Sequence, residues 1–294
     1  MNSPMWASRT VPSCVALLAF AVGLVTTSAA TVGAQPSSAP PAPVGGVAGA
    51  TVTNHYVFRG VRQNATGVAV RPFADLEFTP YSGDATLEQL VVRVGFWNSL
   101  NSGDTGAGGP ADAPWYESRL SCGVGMRLSG GVMLSSSLTA YTSPNGMFSK
   151  VTELGFRVGW DDRAGHRLSL NPYAALAIET GVQPGRGQLD GGRRAGRYLE
   201  VGAAPTYSAG RVSVALPVTM GVSVRDYYEL AGRDHRLGFV GAGTDVLVQL
   251  GRTLGGRWNL RGGVEALRLG ETTRVFNDGK RALVVGSVGL IVSR

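Results

Sequence analysis

Apolar and polar positions alternate with period two along most of the chain from Ala50 to Arg294, and no window keeps the i, i+3, i+4, i+7 spacing of an amphipathic helix for long. The clearest stretch is Arg211 to Arg225. Val212, Val214, Leu216, Val218, Met220, Val222 and Val224 share one face there, with Ser213, Ala215, Thr219, Gly221, Ser223 and Arg225 opposite. A strand of about 13 to 15 residues is far above the usual 5 to 6 of globular proteins. It suits a tilted strand that crosses a bilayer.

About twelve segments carry this pattern: 50–60, 67–79, 87–99, 115–128, 132–142, 147–160, 167–180, 197–208, 211–225, 236–249, 257–269 and 281–293. Connections after the even-numbered segments are short, as in Ser129 to Gly131 and Ala209-Gly210, whereas those after the odd-numbered ones are mostly longer and polar, as in Leu100 to Pro114 and Gly181 to Gly196. Two connections break this rule: Val61 to Thr66, and the turn Ser143-Pro144-Asn145-Gly146. Short turns on one side and long loops on the other predict an all-β fold, a transmembrane up-and-down antiparallel β-barrel of about 12 strands over residues 50–294. Lipid accepts the apolar face, and closure of the sheet satisfies every backbone N–H and C=O.

The opposite face must then line the lumen. It collects Arg71, Arg93, Arg119, Arg127, Arg157, Arg167, Arg225, Arg257 and Arg261 with Asp75, Glu77, Glu117, Glu153, Glu179, Glu200, Asp245 and Glu265. Arg93, Glu117, Arg119, Glu153 and Arg157 lie at similar distances from their strand ends and are the expected pore-lining set. Near balance of the two signs predicts little ion selectivity, and pairing between neighbouring strands would narrow the lumen.

Composition agrees. Glycine is 43 of 294 residues and charge only 16%, which excludes a helical, coiled-coil or disordered protein. The formal charge of +7 does not mark a nucleic-acid binder, because the one basic cluster, Arg193, Arg194 and Arg197, stands beside Asp190 and Glu200 and reads as a solvated loop. At the N-terminus Arg9 precedes the apolar run Val11 to Val25, and small residues follow through Ala34, the order of a secretory signal peptide over 1–34. Residues 35–49 are mainly Pro, Ala, Ser and Gly without charge, the composition of a spacer. Cleavage would leave Cys122 as the one cysteine, an inert thiol on the apolar face, so no internal disulfide is expected.

The segment Asn54-His55-Tyr56-Val57-Phe58-Arg59-Gly60-Val61-Arg62-Gln63 resembles the opening strand of the TorF-type family of porins, whose first strand reads much like Y-x-F-R-G-x-x-Q. The apolar strand Val68 to Phe78 and the run Val94-Gly95-Phe96-Trp97 extend the resemblance over roughly the first 65 residues of the barrel. It implies a proteobacterial outer-membrane barrel. Such barrels end on an aromatic residue read by the barrel-assembly machinery, whereas this chain ends Leu290-Ile291-Val292-Ser293-Arg294.

Chemistry beyond passage is not indicated. His55, His166 and His235 are the only histidines and no His-x-x-x-His or Cys-x-x-Cys spacing occurs, so neither a metal site nor a cofactor is expected. The glycine-rich run Gly238 to Gly243 lies inside an alternating strand with no following helix, so it is no nucleotide loop. The expectation is a non-enzymatic barrel of the bacterial outer membrane, a passive porin-like channel. Its partners would be outer-membrane lipid, the assembly machinery and small hydrophilic solutes, with no nucleic acid. The rival is a closed barrel whose long loops serve a structural or adhesion role.

Overall fold

A computed structural model describes residues 44–104, 114–162, 168–180 and 194–294. The expected signal peptide (1–34), most of the spacer and His166 lie outside the described residues. Twelve spans form one closed antiparallel barrel: β1 (Val44–Thr53), β2 (Ala69–Ser82), β3 (Leu87–Asn101), β4 (Trp115–Leu128), β5 (Val132–Thr142), β6 (Val151–Trp160), β7 (Leu168–Ser169 with Tyr173–Glu179), β8 (Arg197–Ala203 with Thr206–Ala209), β9 (Val212–Ala215 with Val218–Arg225), β10 (Leu237–Thr253), β11 (Gly256–Leu269) and β12 (Ala282–Ser293). Each strand pairs with its chain neighbours, and β1 closes the ring against β12, from Val47 opposite Ser293 to Thr53 opposite Ser287.

The interruptions in β7, β8 and β9 fall at Pro172, Pro205 and Pro217, which have no N–H to give to the ladder. Their carbonyls still accept: Trp160 N–H bonds to Pro172, Leu216 N–H to Pro205 and Gly243 N–H to Pro217, at 2.8–3.0 Å. The wall therefore runs through all three sites.

The alternation read from the sequence sorts the two faces. Leu76 (66% exposed), Leu120 (60%), Phe96, Phe156, Val218, Val264 and Val284 point outward and are uncovered by protein, whereas their neighbours in sequence point inward. In water so large an apolar surface would drive association; in a bilayer it is the solvated face. Cys122 lies on this outer face and is exposed, not buried in a core, so lipid is what covers it.

Strand β1 corrects the expected start at Ala50 and the expected first strand over 50–60. The stretch Val44-Gly45-Gly46-Val47-Ala48-Gly49, assigned to the spacer by composition, is strand. Its small residues are what the closing position requires. A Cβ on Gly49 would sit 2.5 Å from the Leu290 carbonyl oxygen and 3.0 Å from the Phe73 ring, so a larger residue there would push β1 off both partners. The shift also removes one break in the connection rule, because the link from β1 to β2 now runs from Asn54 to Val68 and joins the long ones.

Candidate functional site in the barrel lumen

That first long connection turns back into the barrel. Val57–Phe58 and Val61–Arg62 form a two-rung hairpin with Arg59-Gly60 at its tip, and Phe58 pairs with Val61. Both tip residues are left-handed, at φ +48° for Arg59 and +83° for Gly60, the signature of the two-residue turn that matches strand twist. Glycine meets this at no cost. Arginine does not, at about 1 to 2 kcal/mol for a residue with a Cβ. The segment that resembles a porin's opening strand is thus a folded-in hairpin and not part of the wall.

Side chains of the hairpin fill the lumen at the long-loop end, where Tyr56, Phe58, Arg59, Val61, Gln63 and Asn64 are all buried. The Arg59 guanidinium forks onto Glu153 of β6, with Nη1 donating to Oε2 at 2.7 Å and Nη2 to Oε1 at 2.8 Å. It also donates to the Tyr227 hydroxyl at 2.7 Å, and the Tyr141 hydroxyl donates to Glu153 Oε1 at 3.1 Å. The guanidinium carbon stands 4.2 Å from the Tyr198 ring centroid and 4.8 Å from that of Phe58. Only 3% of the Arg59 side chain and 4% of that of Glu153 remain exposed. Two unit charges so deeply withdrawn from water are tolerable only as a pair.

A second buried pair lies beside the first. Arg119 contacts Glu117 and the Tyr56 hydroxyl, which itself donates to Glu117 Oε2 at 2.8 Å, and its guanidinium lies 4.2 Å from the Trp97 centroid. The loop end is closed further by the connection that carries Tyr227 and Tyr228 and by the short helix α1 (Glu271–Phe276). The Tyr228 hydroxyl donates to the Arg59 carbonyl at 2.9 Å, and Asn277 holds the tip from both sides, donating to the Gly60 carbonyl at 2.8 Å and accepting from Arg62 N–H at 3.0 Å. Burial pushes the Tyr227 and Tyr228 hydroxyls above their ordinary range, against the lowering effect of Arg59, so both stay protonated at neutral pH, Tyr227 accepting from Arg59 and Tyr228 donating to its carbonyl.

Below the hairpin, toward the short-turn end, the lumen wall is lighter. Gly95, Gly125, Gly155, Gly159, Gly202 and Gly263 occupy inward positions together with Ser121, Ser135 and Ser137. The charges at this level project from that wall. Arg93 pairs with Glu77, Arg127 with Asp161 at 2.6 Å and Arg261 with Asp245 at 2.9 Å through Nε. Arg157 stacks 3.7 Å from the Tyr173 centroid, and Glu200 accepts from the hydroxyls of Tyr173 (2.8 Å) and Tyr198 (2.7 Å).

The five residues expected to line one constriction therefore divide. Glu117, Arg119 and Glu153 meet in the buried network at the loop end, whereas Arg93 and Arg157 belong to the lower level. The residue that organises the upper network, Arg59, is absent from that set. Its signal in the sequence was the Arg-Gly dipeptide, together with the connection of unexpected length after it.

No protein-family model matches the chain, and no curated protein matches it in sequence. Solved structures do resemble it in fold. One is an outer membrane channel from Pseudomonas putida F1, at 10% identity and a TM-score of 0.47 over 89% of this chain and 100% of that one. The NanC porin aligns at 13% identity and 0.42 over 85% and 98%, and the translocator domain of autotransporter NalP from Neisseria meningitidis at 13% and 0.44 over 87% and 89%.

Proposed function

We propose that the protein is a channel of the bacterial outer membrane for small hydrophilic solutes, of the TorF type, and that the hairpin at Arg59 is its gate. The observation that carries this reading is how the lumen is closed. The hairpin that turns into the lumen is tied to the wall through the Arg59–Glu153 ion pair and tyrosine hydroxyls as well as through the buried aromatic packing of Tyr56 and Phe58, with the Tyr227–Tyr228 connection and α1 closing over it. The ion pair and the hydroxyl bonds can be exchanged for water when the hairpin leaves. The level beneath it supports the same reading, because its inward face is polar, carrying glycine and serine together with paired charges. With Glu77, Glu117, Glu153 and Asp245 each paired to an arginine and the two signs nearly balanced along the lumen, little preference between small anions and cations is expected.

Conductance of the purified, folded protein in a planar bilayer tests this. The expected record is a mostly closed state with discrete openings that become frequent when the hairpin's anchors are cut. Absence of channel events both from the native protein and from variants with a released hairpin would overturn the channel reading and leave a closed barrel serving through its loops.

A further inference from the structure

The pocket that holds the Arg59 head group is more complete than a latch requires. It offers a carboxylate that engages both Nη atoms, a tyrosine hydroxyl 2.7 Å from one of them, and the ring faces of Tyr198 and Tyr227 with centroids 4.2 and 5.2 Å from the guanidinium carbon. Apart from Phe58, these groups belong to the wall (Tyr141, Glu153, Tyr198) or to another connection (Tyr227), so they remain when the hairpin withdraws. Arg119, the other buried cation of this end, lies 4.9 Å from the Tyr141 centroid and is already matched by Glu117. With Arg59 gone, the pocket would keep an uncompensated carboxylate framed by aromatic faces. Backbone preference does not explain the arginine at the tip, since its left-handed φ of +48° disfavours it. What keeps Arg59 there is the pocket.

We infer that the Glu153 pocket is a receptor for small guanidinium cations, occupied by Arg59 when the gate is shut, and that solutes bearing a guanidinium group bind there in its place. The inference rests on the gate reading above and adds the chemical class of a solute the channel recognises. A planar fork suits Glu153 bidentately and stacks on the rings, which an ammonium cannot do equally well. The hairpin competes with such a solute at the high effective concentration of a tethered group, so the vacant pocket is best seen in a variant lacking the Arg59 side chain.

The test uses full-length Arg59→Ala, folded and shown so by its heat-modifiable gel mobility, with methylguanidinium chloride as the probe and methylammonium chloride at equal ionic strength as the reference. Two readouts are followed, the thermal midpoint of the barrel and the open-channel current. The expected result is a saturable rise in midpoint with methylguanidinium and a small or absent one with methylammonium, a fall in current with the same half-saturation, and loss of both effects in Arg59→Ala/Glu153→Gln. Equal responses to the two cations, or an unchanged response in the double variant, would overturn the receptor. A folded Arg59→Ala that carries no current but shows the selective midpoint rise would sink the gate and keep the receptor; current without the selective rise would do the reverse. Should Arg59→Ala not fold, Arg59→Gln, which fills the same space without charge, carries the same comparison.

Discussion

Replacing Glu153 by Gln removes one charge and changes almost no volume, so its effect isolates the tie that holds the hairpin. Arg59 would be left in a site where only 3% of its side chain reaches water, with the Tyr227 hydroxyl, the Tyr198 face and one amide oxygen as remaining partners. Breaking a buried pair by removing one partner costs about 3 to 5 kcal/mol. The amide still accepts one hydrogen bond, which places the loss at ~3 kcal/mol, a shift of about 150-fold in the docking equilibrium. That cost falls on the hairpin and not on the barrel, because the strand ladder around Glu153, from Val132 opposite Trp160 to Tyr141 opposite Val151, uses no side chain. Glu117→Gln is the matched control. Glu117 is equally buried, but its cation, Arg119, sits two residues along the same strand, and the hairpin touches it only through Tyr56. One hydrogen bond to a charged acceptor, about 1.5 kcal/mol, corresponds to a shift of about 10-fold. Single-channel recording at fixed voltage gives the open fraction of each. Glu153→Gln should open far more often than Glu117→Gln, and both more often than the native protein. If Glu153→Gln retains heat-modifiable mobility and its open fraction does not rise, the ion pair does not hold a gate.

Gly60→Ala should loosen the same hairpin from its backbone side, by about 1 to 2 kcal/mol for the left-handed φ alone, because the new methyl would also lie 3.0 Å from Phe239; denaturant titration in detergent and open fraction should move together. Val218→Arg puts a charge on the outer face and should cost ~2 to 4 kcal/mol in a bilayer. Its inward neighbour Thr219→Arg, which would face Glu265 across Gly241, should fold normally, and equal folding yields of the two in lipid vesicles would contradict the facing of β9. Arg157→Gln removes the cation stacked on Tyr173 and leaves Glu200 held only by tyrosine hydroxyls. The reversal potential of the open state in a salt gradient should shift toward cations, and an unchanged value would take Arg157 off the conducting route.

Strand positions and facing were legible in the sequence because a strand that divides lipid from lumen must alternate residue by residue, and that demand is local. Val212 to Val224 shows it in its own order of residues, and so do β4 over 115–128 and β5 over 132–142, whose expected bounds coincide with the observed ones. Composition misled at the start of the barrel, since a strand squeezed between two neighbours and a flexible spacer both favour Gly, Ala and Val. The same alternation concealed the hairpin. Tyr56, Phe58 and the residues after Gly60 keep period two whether they extend along a wall or fold back on themselves, and a hairpin is two strands.

Which arginine meets which carboxylate was not legible at all. Arg59 and Glu153 lie 94 residues apart, and nothing near either position in the sequence specifies the other. Their meeting follows from closure of the barrel, which brings β6 across from the connection after β1. Alternation with its charges gathered on one face was enough to read a bilayer-spanning sheet with a charged interior. That Arg59 stops this interior is visible in the closed fold alone, because a lumen becomes a defined space, with an inside to be filled, once the first and last strands have joined.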